Sequence, residues 1–228
     1  MRERPILFNS AMVRAILDGS KTVTRLAVIK SSQPETIFPS DFSATEAMVE
    51  LNSTRFGTTW WKSCPYGKPG DRLWVRETWS GVNMCGAPAL AYRADGDIRD
   101  LMAEELFLDE DGAFNYVDQR WKKYDFSCWY ADLHQARWRP SIHMPRWASR
   151  IMLEITNVRV ERLQDITEVQ AKAEGVLSCE NDIDPDGNYY SPYELFSALW
   201  VSINGHESWH ANPWVWVVEF KRVEVRHA

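Results

Sequence analysis

Gly19-Ser20-Lys21-Thr22-Val23-Thr24-Arg25 packs two cations and three hydroxyls into seven residues. That density exceeds what a connector needs, and the chain on either side fixes where the stretch is delivered. Upstream, Met12, Val13, Ile16 and Leu17 fall at helical spacing, Ser10 can cap the first free amides, and Gly19 can take the left-handed conformation that ends a helix. The spacing predicts a helix over 10–18. Lys21 and Thr24 face each other only if the backbone turns between them, because odd and even residues of an extended strand point to opposite faces. A turn sets an ammonium beside a hydroxyl, and a lysine that gives up its proton serves as base for a hydroxyl nucleophile. A solvated basic loop closing the helix is the other reading of the same residues.

Outward from this stretch the chain alternates like a β-rich protein. Pro5 to Asn9 reads as a strand before the helix, and Leu26 to Ile29 as one after it; a polar run to about Thr59 then reads as an insertion or long loop. Cys64-Pro65-Tyr66-Gly67-Lys68-Pro69-Gly70-Asp71 is a cluster of turn formers. Arg72 to Trp79 alternates as one strand, with Arg72, Trp74, Arg76 and Thr78 on one face and Leu73, Val75, Glu77 and Trp79 on the other. Glu77 on an apolar face must be paired, protonated or at a cavity mouth.

Ala89 to Arg93 is a further short strand, Leu101 to Leu106 is partly helical, and Ile151 to Glu161 is a long strand. Thr167 with Gln170 matches a capping box and Gly175 a left-handed terminator, which leaves Glu174 in a helical last turn where the dipole disfavours an anion. Either water solvates that carboxylate or a nearby cation holds it. Ser191-Pro192-Tyr193-Glu194 opens a second helix, with Leu195, Phe196, Leu199 and Trp200 on one face. Trp214 to Phe220 is apolar enough for a central strand. Many strands with few short helices predict a mainly β, α+β fold.

Composition limits the function classes. The net charge of −6 argues against indiscriminate coating of nucleic acid. Charge is uneven, however: eight acids against Arg99 alone lie between Asp95 and Gly112, whereas Arg137 to Arg150 holds four arginines and no acid. Several of the 12 tryptophans sit beside cations, as in Trp61-Lys62, Trp121-Lys122, Arg137-Trp138-Arg139 and Arg146-Trp147, a combination suited to stacking on bases and holding phosphates. The proline-bounded basic segment from Ser141 to Ala148 reads as a loop over a site. Cys64, Cys85, Cys128 and Cys179 form no C-x-x-C pair, so no disulfide framework or zinc knuckle is expected, and a reducing cytoplasm fits. No run of 18 apolar residues occurs, so no membrane span or signal peptide is expected. His206-Glu207-Ser208-Trp209-His210 matches H-E-x-x-H, but Gly205 before it and Asn212-Pro213 after it count against the two-turn helix that zinc chemistry needs. No required metal and no cofactor are expected.

Gly19-Ser20-Lys21-Thr22-Val23-Thr24 resembles the G-x-K-x-x-(E/T) signature of the ASCH domain, a small β-barrel related to the PUA RNA-binding fold. The likeness extends to Pro69 to Val75, to Ile166 to Gly175 and to Val215 to Phe220. The chain is most similar to the long phage and prophage ASCH proteins, which carry a C-P-Y-G-x-P-G-D-x-L-W-V-R-E-T-W stretch, here Cys64 to Trp79. The resemblance implies one PUA-like domain over residues 1–228, its core at roughly 4–28, 64–80 and 137–224, with insertions at about 30–62 and 94–136. A small bacterial member is an amidohydrolase that removes the acetyl group from N4-acetylcytidine with a lysine, a threonine and a glutamate. Position by position the resemblance puts those roles on Lys21 as base, Thr24 as nucleophile and Glu174 as the carboxylate that orients Lys21. Arg25, Arg76, Glu77, Trp79, Arg146 and Trp147 are the expected substrate-binding residues, and Arg25 substitutes for a signature arginine whose own position is Leu26. The expected partner is a nucleoside or an RNA or modified base. A non-catalytic module binding RNA or a modified base, and a ribonuclease, are the alternatives.

Overall fold

The C-terminal apolar run becomes a strand because Val215, Trp216, Val217, Val218 and Phe220 are all buried, too continuous a run for a strand with a wet face. The computed structural model describes residues 1–29, 37–102, 104–180 and 189–224. Its strands are β1 (Glu3–Leu7), β2 (Val23–Ala27), β3 (Ile37–Ser43), β4 (Met48–Ser53), β5 (Thr58–Ser63), β6 (Arg72–Arg76), β7 (Trp79–Met84), β8 (Ala87–Tyr92), β9 (Ile98–Asp100), β10 (Met152–Arg162) and β11 (Trp214–Val223). The helices are α1 (Ser10–Leu17), α2 (Gln119–Lys123), α3 (Glu168–Ala173), α4 (Pro192–Asn204) and α5 (His206–His210), with several single 3-10 turns between. The class is α+β and β-rich. Strands form a five-stranded sheet in the order β1-β6-β10-β11-β2 and two three-stranded sheets, β3-β4-β5 and β7-β8-β9; among the described residues the larger sheet ends at β1 and β2 and closes no barrel.

The chain divides into two compact units, the first holding 1–4, 15–73 and 153–223, the second 5–14, 74–152 and 224–228. In the first unit β11 pairs antiparallel with β2, setting Val217 opposite Arg25 and Val218 opposite Thr24. The polar run after Ile29 is not a long loop. From residue 37 it forms the antiparallel meander β3-β4-β5, whose Val49 and Leu51 are buried and whose Phe42 ring lies 6.3 Å from that of Trp216. A low apolar content hid these strands because only one side of the meander is covered. Residues 30–36 lie outside the described residues.

Both capping boxes form, Thr167 with Gln170 and Ser191 with Glu194, and α4 packs its buried Leu195, Phe196, Leu199 and Trp200 near α3 and α5. At α1 the cap is Asn9 rather than Ser10, its Oδ1 accepting from Met12 N at 2.8 Å.

In the second unit, β7-β8-β9 is an antiparallel sheet covered on both faces. Trp79, Leu90, Tyr92, Leu101, Phe107 and Met144 form one core cluster, and Val82, Ala89 and Ala91 another on the opposite side. The predicted single strand from Arg72 to Trp79 breaks after Arg76, so Glu77 sits at a corner between β6 and β7. The expected helix near 101–106 is a 3-10 turn at Glu105–Phe107; Ala103 and the side chains of Trp121 and Lys122 lie outside the described residues. No helix among the described residues is long and apolar enough to cross a membrane.

Candidate functional site

Glu174 ends α3 with ordinary helical angles, and Gly175 after it turns left-handed at φ 78°. A side chain at 175 would put its Cβ 2.7 Å from that of Ala15 and 2.9 Å from that of Lys21, so glycine is required both for its sign of φ and for the close approach. Backbone bonds then seat the Gly19–Arg25 stretch on this helix end: Lys21 N donates to Ala15 O, and Thr22 N to Ala173 O, both at 2.9 Å.

The Glu174 carboxylate collects two cations. Lys21 Nζ donates to Glu174 Oε2 at 2.9 Å, to Glu174 O at 2.8 Å and to Val23 O at 2.9 Å, matching the three hydrogens of an ammonium. Arg25 Nη1 donates to Glu174 Oε1 at 3.0 Å, and Arg25 Nη2 to Glu161 Oε2 at 3.4 Å. Lys21, Arg25 and Glu174 are 2%, 8% and 4% exposed, so this is an interior charge cluster and not a solvated basic loop. Of the two readings of Glu174, the cation-held one describes it. The alternation of charge continues outward, because Arg159 reaches both Glu161 and Glu219. Burial pulls Arg159 down, but these two carboxylates outweigh it and hold its pKa above the ordinary value.

Two further features complete the surroundings. The Phe196 ring of α4 lies 5.7 Å from the Arg25 guanidinium carbon. The Tyr66 phenol has its pKa pushed up by burial first, then by Cys64 and by Glu174, which puts its hydroxyl in the field of the Glu174 carboxylate. Arg25 Nε is buried and donates to no described group.

Thr24 is not part of this cluster. The chain is extended from Val23 onward, so Thr24 points to the face of β2 opposite Arg25, and the turn that would set its hydroxyl against Lys21 does not form.

The other expected substrate-binding residues belong to the second unit. Arg76 lies over the Trp74 ring at 4.7 Å, its Nε buried without a hydrogen-bond partner among the described residues. Glu77, 1% exposed, makes a forked pair with Arg150, Nε to Oε1 and Nη2 to Oε2, each at 2.9 Å; of the three options for a buried carboxylate, it is paired. Arg150 also holds Asp95 and Asp97, which neutralises part of the acidic segment. Trp79 is fully buried against the edges of Tyr124 and Trp147, at 5.2 and 5.9 Å between centroids. Trp147 also meets Phe107 at 5.7 Å, and Arg146 opens the 3-10 turn that carries Trp147. These indoles contribute core, as large rings do wherever they can be covered.

His206 and His210 do share a short helix, α5, with ring centroids 4.9 Å apart. Among the described residues no three His, Cys, Asp or Glu side chains gather as a metal would need. Cys64, Cys85 and Cys128 are free thiols.

No protein-family model matches the chain, nor does any curated protein or solved structure.

Proposed function

We propose that this chain recognises a nucleoside or an RNA base, as a PUA-like ASCH domain would, and that recognition centres on Lys21, Arg25 and Glu174. The observation that carries the reading is the buried Glu174 carboxylate held by both Lys21 and Arg25. A buried charge cluster costs desolvation that packed apolar groups would avoid, so its retention argues for use. A donor next to an acceptor is what the polar edge of a base pairs with, and Tyr66 adds a phenol to the same surroundings. The test is calorimetric titration with cytidine, N4-acetylcytidine and short single-stranded RNA. Saturable binding that Glu174→Gln weakens at least tenfold supports the reading. Absence of binding by the folded wild-type protein to all three ligands removes it.

Hydrolysis of an N4-acetylated cytidine is the second reading, favoured by the Lys21–Glu174 contact. It requires the Thr24 hydroxyl to swing to the Lys21 side of β2. Chromatographic turnover of N4-acetylcytidine by wild type, Lys21→Ala and Thr24→Ala decides it: turnover lost in both variants supports this assignment, and turnover surviving both refutes it.

A further inference from the structure

A second site, independent of the first, is built on β7 in the second unit. Asn83 N donates to Cys128 O at 2.7 Å and Tyr130 N to Asn83 O at 3.0 Å, which pins 128–130 along one end of that strand. At its other end Arg139 N donates to Trp79 O at 2.8 Å and Ser80 Oγ to Arg137 O at 3.2 Å. Between these attachments lies a cavity of about 380 Å³ lined by, among others, Gly81, Asp125, Trp129, Asp132, Gln135 and Arg137. Gly81 is needed at its base, because a Cβ there would lie 2.4 Å from Asp125 O. Walls held by main-chain bonds to a strand give fixed positions to the side chains they carry.

The two carboxylates of this cavity differ. Asp125 is already served, Oδ1 by Ser127 N at 2.9 Å and Oδ2 by the Arg137 guanidinium at 3.3 Å. Asp132 Oδ2 accepts only a neutral amide, from Gln135 Nε2, and among the described residues no cation pairs with it. The field it leaves is felt next door: burial first, then Asp132 and Asp125, push the Cys128 thiol above its ordinary pKa. Beside this unneutralised carboxylate stands Trp129, an indole 48% exposed and tilted against Tyr130 at 4.8 Å. A half-exposed indole next to a carboxylate without a cation is an arrangement that attracts an organic cation.

We propose that this cavity binds a guanidinium group, presented by an arginine side chain of a partner polypeptide. A flat cation can lie on the indole while its forked N–H groups meet Asp132, which a compact, strongly hydrated ammonium cannot do at once. A nucleotide phosphate is disfavoured by the two carboxylates, Asp125 and Asp132, that line the same cavity.

The probe is N-acetyl-arginine amide, followed through indole N–H resonances of the full chain, with the Trp129 signal assigned by its loss in Trp129→Ala. The expected result is a saturable shift of that signal, with N-acetyl-lysine amide binding more weakly. Asp132→Asn should reduce arginine affinity about tenfold, equivalent to about 1.4 kcal/mol, while the other resonances stay in place. No saturable shift, equal affinity in Asp132→Asn, or tighter binding of GMP than of the arginine probe overturns the proposal. None of these substitutions touches Lys21, Arg25 or Glu174, so this result stands apart from the nucleoside titration.

Discussion

Lys21 Nζ bonds both the side chain and the backbone oxygen of Glu174, at 2.9 and 2.8 Å, across 153 positions of sequence, and the two residues also form an antiparallel backbone bridge. Removing one partner of a buried pair leaves the other uncompensated, at a cost of about 3–5 kcal/mol. Glu174 is held by two cations, so Glu174→Gln, which strands both, should destabilise more than Lys21→Met, which leaves Arg25 to hold Glu174. Urea unfolding checks the order: both midpoints fall at unchanged slope, that of the glutamate variant further.

Thr24 is half-buried on the far face of β2, and its substitution separates the two functional readings. Thr24→Val keeps a β-branched side chain in a strand and should change stability by no more than about 1 kcal/mol. Under base recognition at Lys21 and Arg25, nucleoside affinity in this variant stays within about twofold of wild type, less than 0.5 kcal/mol. A tenfold loss in the same titration would put the hydroxyl at the ligand.

The sequence disclosed this region unevenly, for physical reasons. The capping boxes and Gly175 were legible because local hydrogen bonding and a left-handed φ leave residue-specific marks at short range. From the glutamate in a helical last turn the need for a cation could be argued, but which cation depends on β2 meeting α3, a long-range event. Glu161 and Tyr66 carry no such mark: Glu161 is the penultimate residue of a strand whose pattern reads as apolar alternation, and Tyr66 sits among turn formers that draw attention to backbone. Alternation over 72–79 reads as one strand because it continues through Glu77, whereas the forked bond to Arg150 turns that residue inward at a corner between β6 and β7.

Gly175 joins the helix end to the Lys21 stretch, and alanine there meets two obstacles at once. The positive φ costs a non-glycine residue about 1–3 kcal/mol, and the added Cβ overlaps those of Ala15 and Lys21. Gly175→Ala should therefore lose about 2 kcal/mol or more of stability and also weaken nucleoside binding, since any relief moves Lys21. Gly112→Ala, likewise at positive φ but with nothing within 4 Å, is the control: it isolates the backbone cost and should leave binding unchanged.

Glu77 supplies the pH prediction. Burial raises its pKa above the ordinary glutamate value in the folded state; the bonds and charge of Arg150 pull the other way without cancelling the rise, and Asp95 and Asp97 add to it. The folded chain therefore binds this proton more tightly than the unfolded chain, and folding loses stability as pH climbs from the unfolded value to the raised one. Below that window the group is protonated in both states and its contribution is flat. Glu77→Gln removes the titration while keeping the shape, so the stability of wild type minus that of the variant should decrease as pH rises out of the ordinary glutamate range. Chemical denaturation of both proteins across that range reads the difference directly. A difference that grows with pH would mean that Arg150, lying 4.1 Å from the Tyr92 ring centroid and bonded to three carboxylates, stabilises the ionised form by more than burial opposes it.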